Sequence, residues 1–308
     1  MLIVAAALLP VFLLIAMGFA LKQFFMKHES QWAGLEQIVF YVLFPALLIQ
    51  TLARADLAAV PVIGVGGALL IAVLIGCAIT LALRPFIMNT LGASGPAFTS
   101  VFQGAVRWQT YVALAVVANL YGAVGLTLAS VAMVAMIPIL NIIAVWVLAH
   151  YASPQKLSWG VVMLTIAKNP FIWACAIGLA FNLLHMPLSG PVYDFMDALG
   201  RSSLAVGLLC VGAGLRIQGV VRAGAPAWLS VAIKLLLMPL IAITIGRAFG
   251  LSGTNLAVVA CCASVPTASS AYVMARQMGG DAPLLAEILT LQTILATITM
   301  PIFIAWVA

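Results

Sequence analysis

The chain has 308 residues, 65% hydrophobic and 6% charged, with 13 Lys+Arg against 7 Asp+Glu for a net charge of +6. Soluble domains carry about 25% charged residues, and surface-to-volume scaling leaves no soluble core able to hide this much apolar surface. The composition therefore excludes a water-soluble fold, and the long unbroken apolar runs argue for bilayer-spanning helices rather than for the short alternating segments of a β-barrel.

Ten apolar spans are predicted, at 2–21, 35–52, 62–83, 96–120, 126–149, 169–184, 196–215, 227–249, 256–277 and 283–307. The first has no basic residue before it, since Lys22 and Lys27 follow it, so it reads as a retained membrane helix and not as a signal peptide. The cysteines, Cys77, Cys175, Cys210, Cys261 and Cys262, all fall within apolar runs and lack metal-ligand spacing. They read as small packing residues, and no metal or cofactor is expected. The excess of Lys and Arg fits cytoplasmic loops better than a nucleic-acid partner.

The only sizeable loop, 151–168, divides the chain into a first half at 1–150 and a second at 169–308. The halves resemble each other. Pro10, Ala16, Gly18 and Ala20 match Pro170, Ala176, Gly178 and Ala180 at an offset of 160. Tyr111-Val112-Ala113 lies opposite Tyr272-Val273-Met274 at 161, and Ile137-Pro138-Ile139 opposite Met300-Pro301-Ile302 at 163. Five spans per half is an odd number, so the second half must enter the membrane from the opposite side, as in inverted-repeat secondary transporters. The expected fold is thus an all-α membrane protein of ten transmembrane helices in two inverted five-helix repeats. The loop bias in basic residues puts Lys22, Lys27, Arg84, Lys156, Lys168, Arg216 and Arg222 inside, with Arg54, Arg201 and Arg247 outside. Both termini are then periplasmic and the central loop cytoplasmic, in a bacterial inner membrane.

Two spans carry polar residues and helix breakers where lipid tolerates neither without a cavity. The fourth contains Gln103, Arg107, Gln109, Thr110 and Tyr111, with Arg107 near the bilayer middle. An arginine there costs about 2.5–3.5 kcal/mol on insertion scales. The ninth contains Pro266, Thr267, Ser269, Ser270 and Tyr272; Pro266 removes a ladder donor, and the hydroxyls can bond freed carbonyls or a ligand. Broken helices meeting at the midplane aim positive N-terminal ends at a common point, which suits a carboxylate. Arg276 either lines the same cavity or reaches the cytoplasm. Asn141 and Gln292 either line it or bond between helices. Lys234 reads slightly better as a snorkelling residue than as an anion contact.

At these residues the sequence resembles the auxin efflux carrier family, which includes bacterial malonate and malate permeases. The likeness runs through Phe44-Pro45-Ala46-Leu47-Leu48, Arg107-Trp108-Gln109-Thr110-Tyr111, Pro138 with Asn141, Lys234 to Pro239, and Pro266 to Ala275. The resemblance implies that helices 4 and 9 are unwound and cross. It also implies a scaffold of helices 1, 2, 6 and 7, often homodimeric, beside an elevator-like transport domain of helices 3–5 and 8–10. It implies a small organic anion, auxin-like or a dicarboxylate, as substrate. The sequence departs from the family at Gln109, where asparagine is frequent, and at Ala115, near a frequent proline.

Coupling to a proton points to Glu36 and Glu287 near the starts of spans two and ten, though both also read as interfacial carboxylates. A sodium-coupled anion symporter of the bile acid type is the alternative, and a channel is a weaker one. An enzyme is not expected: HExxH and GxSxG are absent, and His28, His150 and His185 sit at span edges.

Overall fold

The computed structural model describes residues 2–55, 61–152, 160, 167, 169–186, 190–220 and 223–307. Lys156, Lys168 and Arg222 of the loop-charge argument, and most of the 151–168 loop, lie outside these. The described residues form helices and their connections, with no strand among them.

Helix α1 covers Leu2–Phe24, α2 Glu29–Ile38, α3 Phe44–Ala53, α4 Val62–Ala82, α5 Gly95–Val106 and α6 Thr110–Tyr151. In the second half come α7 (Pro170–Leu183), α8 (Gly190–Ala213), the short α9 (Ile217–Val220), α10 (Ala225–Ala232), α11 (Met238–Ala248), α12 (Gly253–Ser264), α13 (Ser269–Met278) and α14 (Ala282–Val307). Two single π-turns, Val39–Leu43 and Ile233–Leu237, join α2 to α3 and α10 to α11 into continuous rods. Each precedes a proline, Pro45 or Pro239, at the second position of the following helix. The missing amide and the ring shift the ladder by one residue, so the rod bends without breaking.

Eight helical stretches among the described residues are long and apolar enough to cross a bilayer, against the ten expected. The difference has two sources. Pro170–Leu183 is apolar but short, and Gly95–Tyr151 is one stretch of 57 residues. A single crossing takes about 20. Within that stretch Gly122 has φ 56° and ψ −139°, a backbone turn that an L side chain rarely adopts, and it divides α6 into two arms. Helix starts are locally encoded: Ser94 accepts from the Ala97 amide at 3.3 Å and Asn169 from the Phe171 amide at 2.9 Å, each with a proline in the first turn.

The helices pack as two groups. Helices α1, α2–α3, α7 and α8 pack mainly on one another, as do α4, α5, α6, α10–α12 and α14. In the first group Gly18 and Gly212 face the backbone of the opposing helix, where a methyl would collide with the carbonyls of Leu209 and Ile15. Small residues permit this close approach in membrane helices. Asn182 on α7 donates to the carbonyls at the end of α3, Leu52 at 3.0 Å and Ala55 at 2.7 Å. The cysteines are all buried and unpaired, consistent with their reading as packing residues.

Candidate functional site

The second group is interrupted at its centre. Helix α5 ends at Val106 and α6 starts at Thr110; α12 ends at Ser264 and α13 starts at Ser269. The residues between are extended: Arg107 has ψ 156°, Gln109 ψ 95°, Val265 ψ 151° and Ala268 ψ 138°. The first break is present although the residue near the start of α6 is Ala115 and not a proline.

The two breaks lie against each other and exchange bonds. The Gln109 amide donates to the Pro266 carbonyl at 3.1 Å, and the Thr267 hydroxyl to the Gln103 carbonyl at 3.1 Å. The Trp108 indole N–H donates to Cys262 O at 2.6 Å, and the Gln109 side-chain amide to Ser269 Oγ at 3.1 Å. Gln292 of α14 completes the set. Its Oε1 accepts from the Thr267 amide at 2.8 Å, while its Nε2 donates to Gly104 O at 2.9 Å. Of the two roles open to Gln292, holding helices together is the one these bonds assign; a lone glutamine in the apolar run Ile288–Leu295 was its only sequence signal.

Arg107 sits on this crossing, 8% exposed. Its guanidinium donates to Ser270 Oγ at 3.0 Å and lies 3.6 Å from Met274 Sδ, so among the described residues its side-chain partners are a hydroxyl and a thioether. Neither neutralises the charge. The N-termini of α6 and α13 meet here, and neither N-cap residue, Gln109 or Ala268, makes a side-chain cap bond. Uncapped helix starts present amide donors and partial positive charge. One turn before Arg107 on α5, the Gln103 side chain is fully buried with both amide atoms unpartnered among the described residues. An arginine, two helix N-termini and an unsatisfied amide can together hold an anionic oxygen group.

Other predicted residues lie further out. Thr110 and Tyr111 open α6, and the Tyr111 ring packs edge-on against Phe44 of α3 at 5.2 Å, bridging the two helix groups. Asn141 is half-buried on the second arm of α6. Tyr272 and Arg276 are on α13, but the Tyr272 hydroxyl accepts from Arg216 at 3.0 Å and Arg276 is exposed, 6.0 Å from the same ring. Glu36 on α2 is half-buried. Glu287 is half-buried near the start of α14.

Lys234 does not snorkel. It lies in the π-turn Ile233–Leu237, 2% exposed, and borders a cavity of about 10 Å³ with Trp108, Met238 and Cys262. Its stem is too short to leave the packed interior from that turn, which sequence alone did not reveal.

The chain is 26% identical over 303 residues to an "Uncharacterized transporter" of Methanothermobacter thermautotrophicus, covering 96% of this chain and 95% of the relative. It is 24% identical over 302 residues to a "Putative malonate transporter" of Rhizobium meliloti, covering 90% and 87%. The membrane transport protein family matches residues 3–304, nearly the whole sequence. The chain is a multi-pass membrane transporter and not an enzyme, and it belongs to the membrane transport protein family, that of the auxin efflux carriers.

Proposed function

We propose that the protein is a secondary carrier of small organic anions, with the carboxylate held between Arg107 and the N-termini of α6 and α13. The carrying observation is Arg107: a buried cation, seated where two broken helices cross, whose contacts are a hydroxyl and a thioether. Burying such a charge is expensive unless function uses it. The relative named for malonate favours a dicarboxylate as the substrate class.

In this reading the chain makes ten crossings, counting both arms of α6 and the short α7, as two inverted repeats of five. The similar breaks at 107–109 and 265–268 support that symmetry. Helices α1–α3, α7 and α8 form the scaffold, often paired in a homodimer, and the remaining helices form a transport domain that slides in an elevator-like way. The separate packing of the two groups supports this division. Both termini face the periplasm across an inner membrane.

A proton is the coupling ion this reading favours over sodium. Glu36, a half-buried carboxyl on α2, is the group that would carry it.

The test is uptake of labelled malonate into proteoliposomes, with Arg107→Ala alongside. Uptake is expected in the parent, lost in the variant, and unchanged when potassium replaces sodium. A variant that binds and transports malonate like the parent overturns the anion site.

A further inference from the structure

Arg216 lies just beyond α8 and joins residues from both helix groups. One Nη2 donates to Glu29 Oε1 at 3.3 Å, on the first residue of α2. The same nitrogen donates to the Tyr272 hydroxyl of α13 at 3.0 Å. Its backbone amide donates to Thr290 Oγ1 of α14 at 2.9 Å, while that hydroxyl donates onward to Ala286 O. The guanidinium also lies 5.3 Å from the Tyr272 ring centroid.

The scaffold side of this junction is firm. Trp32 of α2 is buried with Cys210 and Ala213 of α8, and its indole N–H donates to Met26 O at 2.7 Å, pinning the α1–α2 corner onto the end of α8. Lys22 lies 3.9 Å from Glu29 on the same corner. A sliding motion of one group past the other therefore has to part Arg216 either from the Glu29 carboxylate or from Tyr272 and Thr290.

The other side connects to the crossing. Helix α13 begins at the break, where Ser269 and Ser270 meet Gln109 and Arg107. Tyr272 is two residues further along the same helical turn. The partner of Arg107 and the partner of Arg216 thus share the first turn of one helix.

We infer that Arg216 is a gate residue: Glu29 tethers it to one unit, and it closes on Tyr272 and Thr290 of the other. This rests on the reading of two units that move relative to each other. Release of the arginine by movement of α13 would then link occupancy of the crossing to motion of the units.

The experiment measures conformation without any substrate. Spin labels at Phe195 of α8 and Ile298 of α14, both exposed, report the distance between the two groups by pulsed electron resonance in nanodiscs. Tyr272→Phe keeps the ring and removes the hydroxyl; Glu29→Gln removes the tether's charge. Loss of this exposed hydrogen bond to a charged group is expected to raise the population of a second distance by about two- to fivefold in Tyr272→Phe. Thermal midpoints should stay near that of the parent, and Arg216→Lys should fall between parent and Tyr272→Phe. Distance distributions unchanged in both Tyr272→Phe and Glu29→Gln overturn the gate. Absence of malonate uptake by the parent would instead count against the carrier reading and leave the distance result standing by itself.

Discussion

The backbone amide of Gln109 donates to the carbonyl of Pro266 across 3.1 Å, so each interrupted helix satisfies a polar group freed by the other. In water such breaks would be solvated at little cost. In the membrane interior they persist because they are paired, with Gln292, Trp108 and Thr267 closing what remains.

Gln292 is the first place to test this pairing. Gln292→Leu removes the acceptor for Thr267 N–H and the donor to Gly104 O while keeping the side chain's approximate volume. Each buried group left unmade costs about 1–3 kcal/mol. The variant should show a clearly lower thermal midpoint in detergent than the parent; an unchanged midpoint would mean that the crossing holds without it.

Arg107→Lys separates charge from geometry. Lysine keeps the positive charge but not the planar fork that grips a carboxylate by two parallel bonds. Malonate affinity by isothermal titration should drop about tenfold or more, and the thermal midpoint without ligand should barely change.

Ser270→Ala should have a smaller effect than Arg107→Lys. The hydroxyl is an acceptor for Arg107 in the ligand-free protein. Removing it frees the guanidinium and also loses a wall of the site, so binding should change by less than tenfold. A complete loss of binding would assign Ser270 a direct ligand contact.

Gly212→Ala probes the first helix group. The added methyl would meet the carbonyl of Ile15 on α1, which is backbone and cannot rotate away. Overpacking of this kind costs about 1–3 kcal/mol. The thermal midpoint should fall, whereas Gly190→Ala, with open space around the added methyl, should not.

Lys234→Met replaces a buried amine by an apolar chain of similar length. Replacing buried polar atoms by well-packed apolar ones is often neutral or stabilising. The midpoint should hold or rise, while Lys234→Ala, which leaves a void, should fall.

Much of this architecture was legible in the sequence. Apolar runs locate helices because bilayer thickness fixes their length, and a span carrying Arg107 and Gln109, or Pro266 and Ser269, cannot remain an ordinary lipid-facing helix. The helices do break at those residues. What stayed hidden depends on direction in space. Gly122 reads as one more small residue in an apolar stretch until its positive φ is seen. Lys234 looks able to snorkel until the π-turn aims it inward. Tyr272 seemed a neighbour of Arg107, but Arg216, distant in sequence, takes its hydroxyl. The role of Gln292 could not be assigned either, because partners on α5, α10 and the second break are brought together only by tertiary packing.

The five buried cysteines have a practical consequence. A membrane-impermeant maleimide applied to intact vesicles should leave the native thiols unmodified. Each cysteine introduced into a loop then becomes a single chemical address, and the side from which it reacts maps the sidedness of the chain one connection at a time.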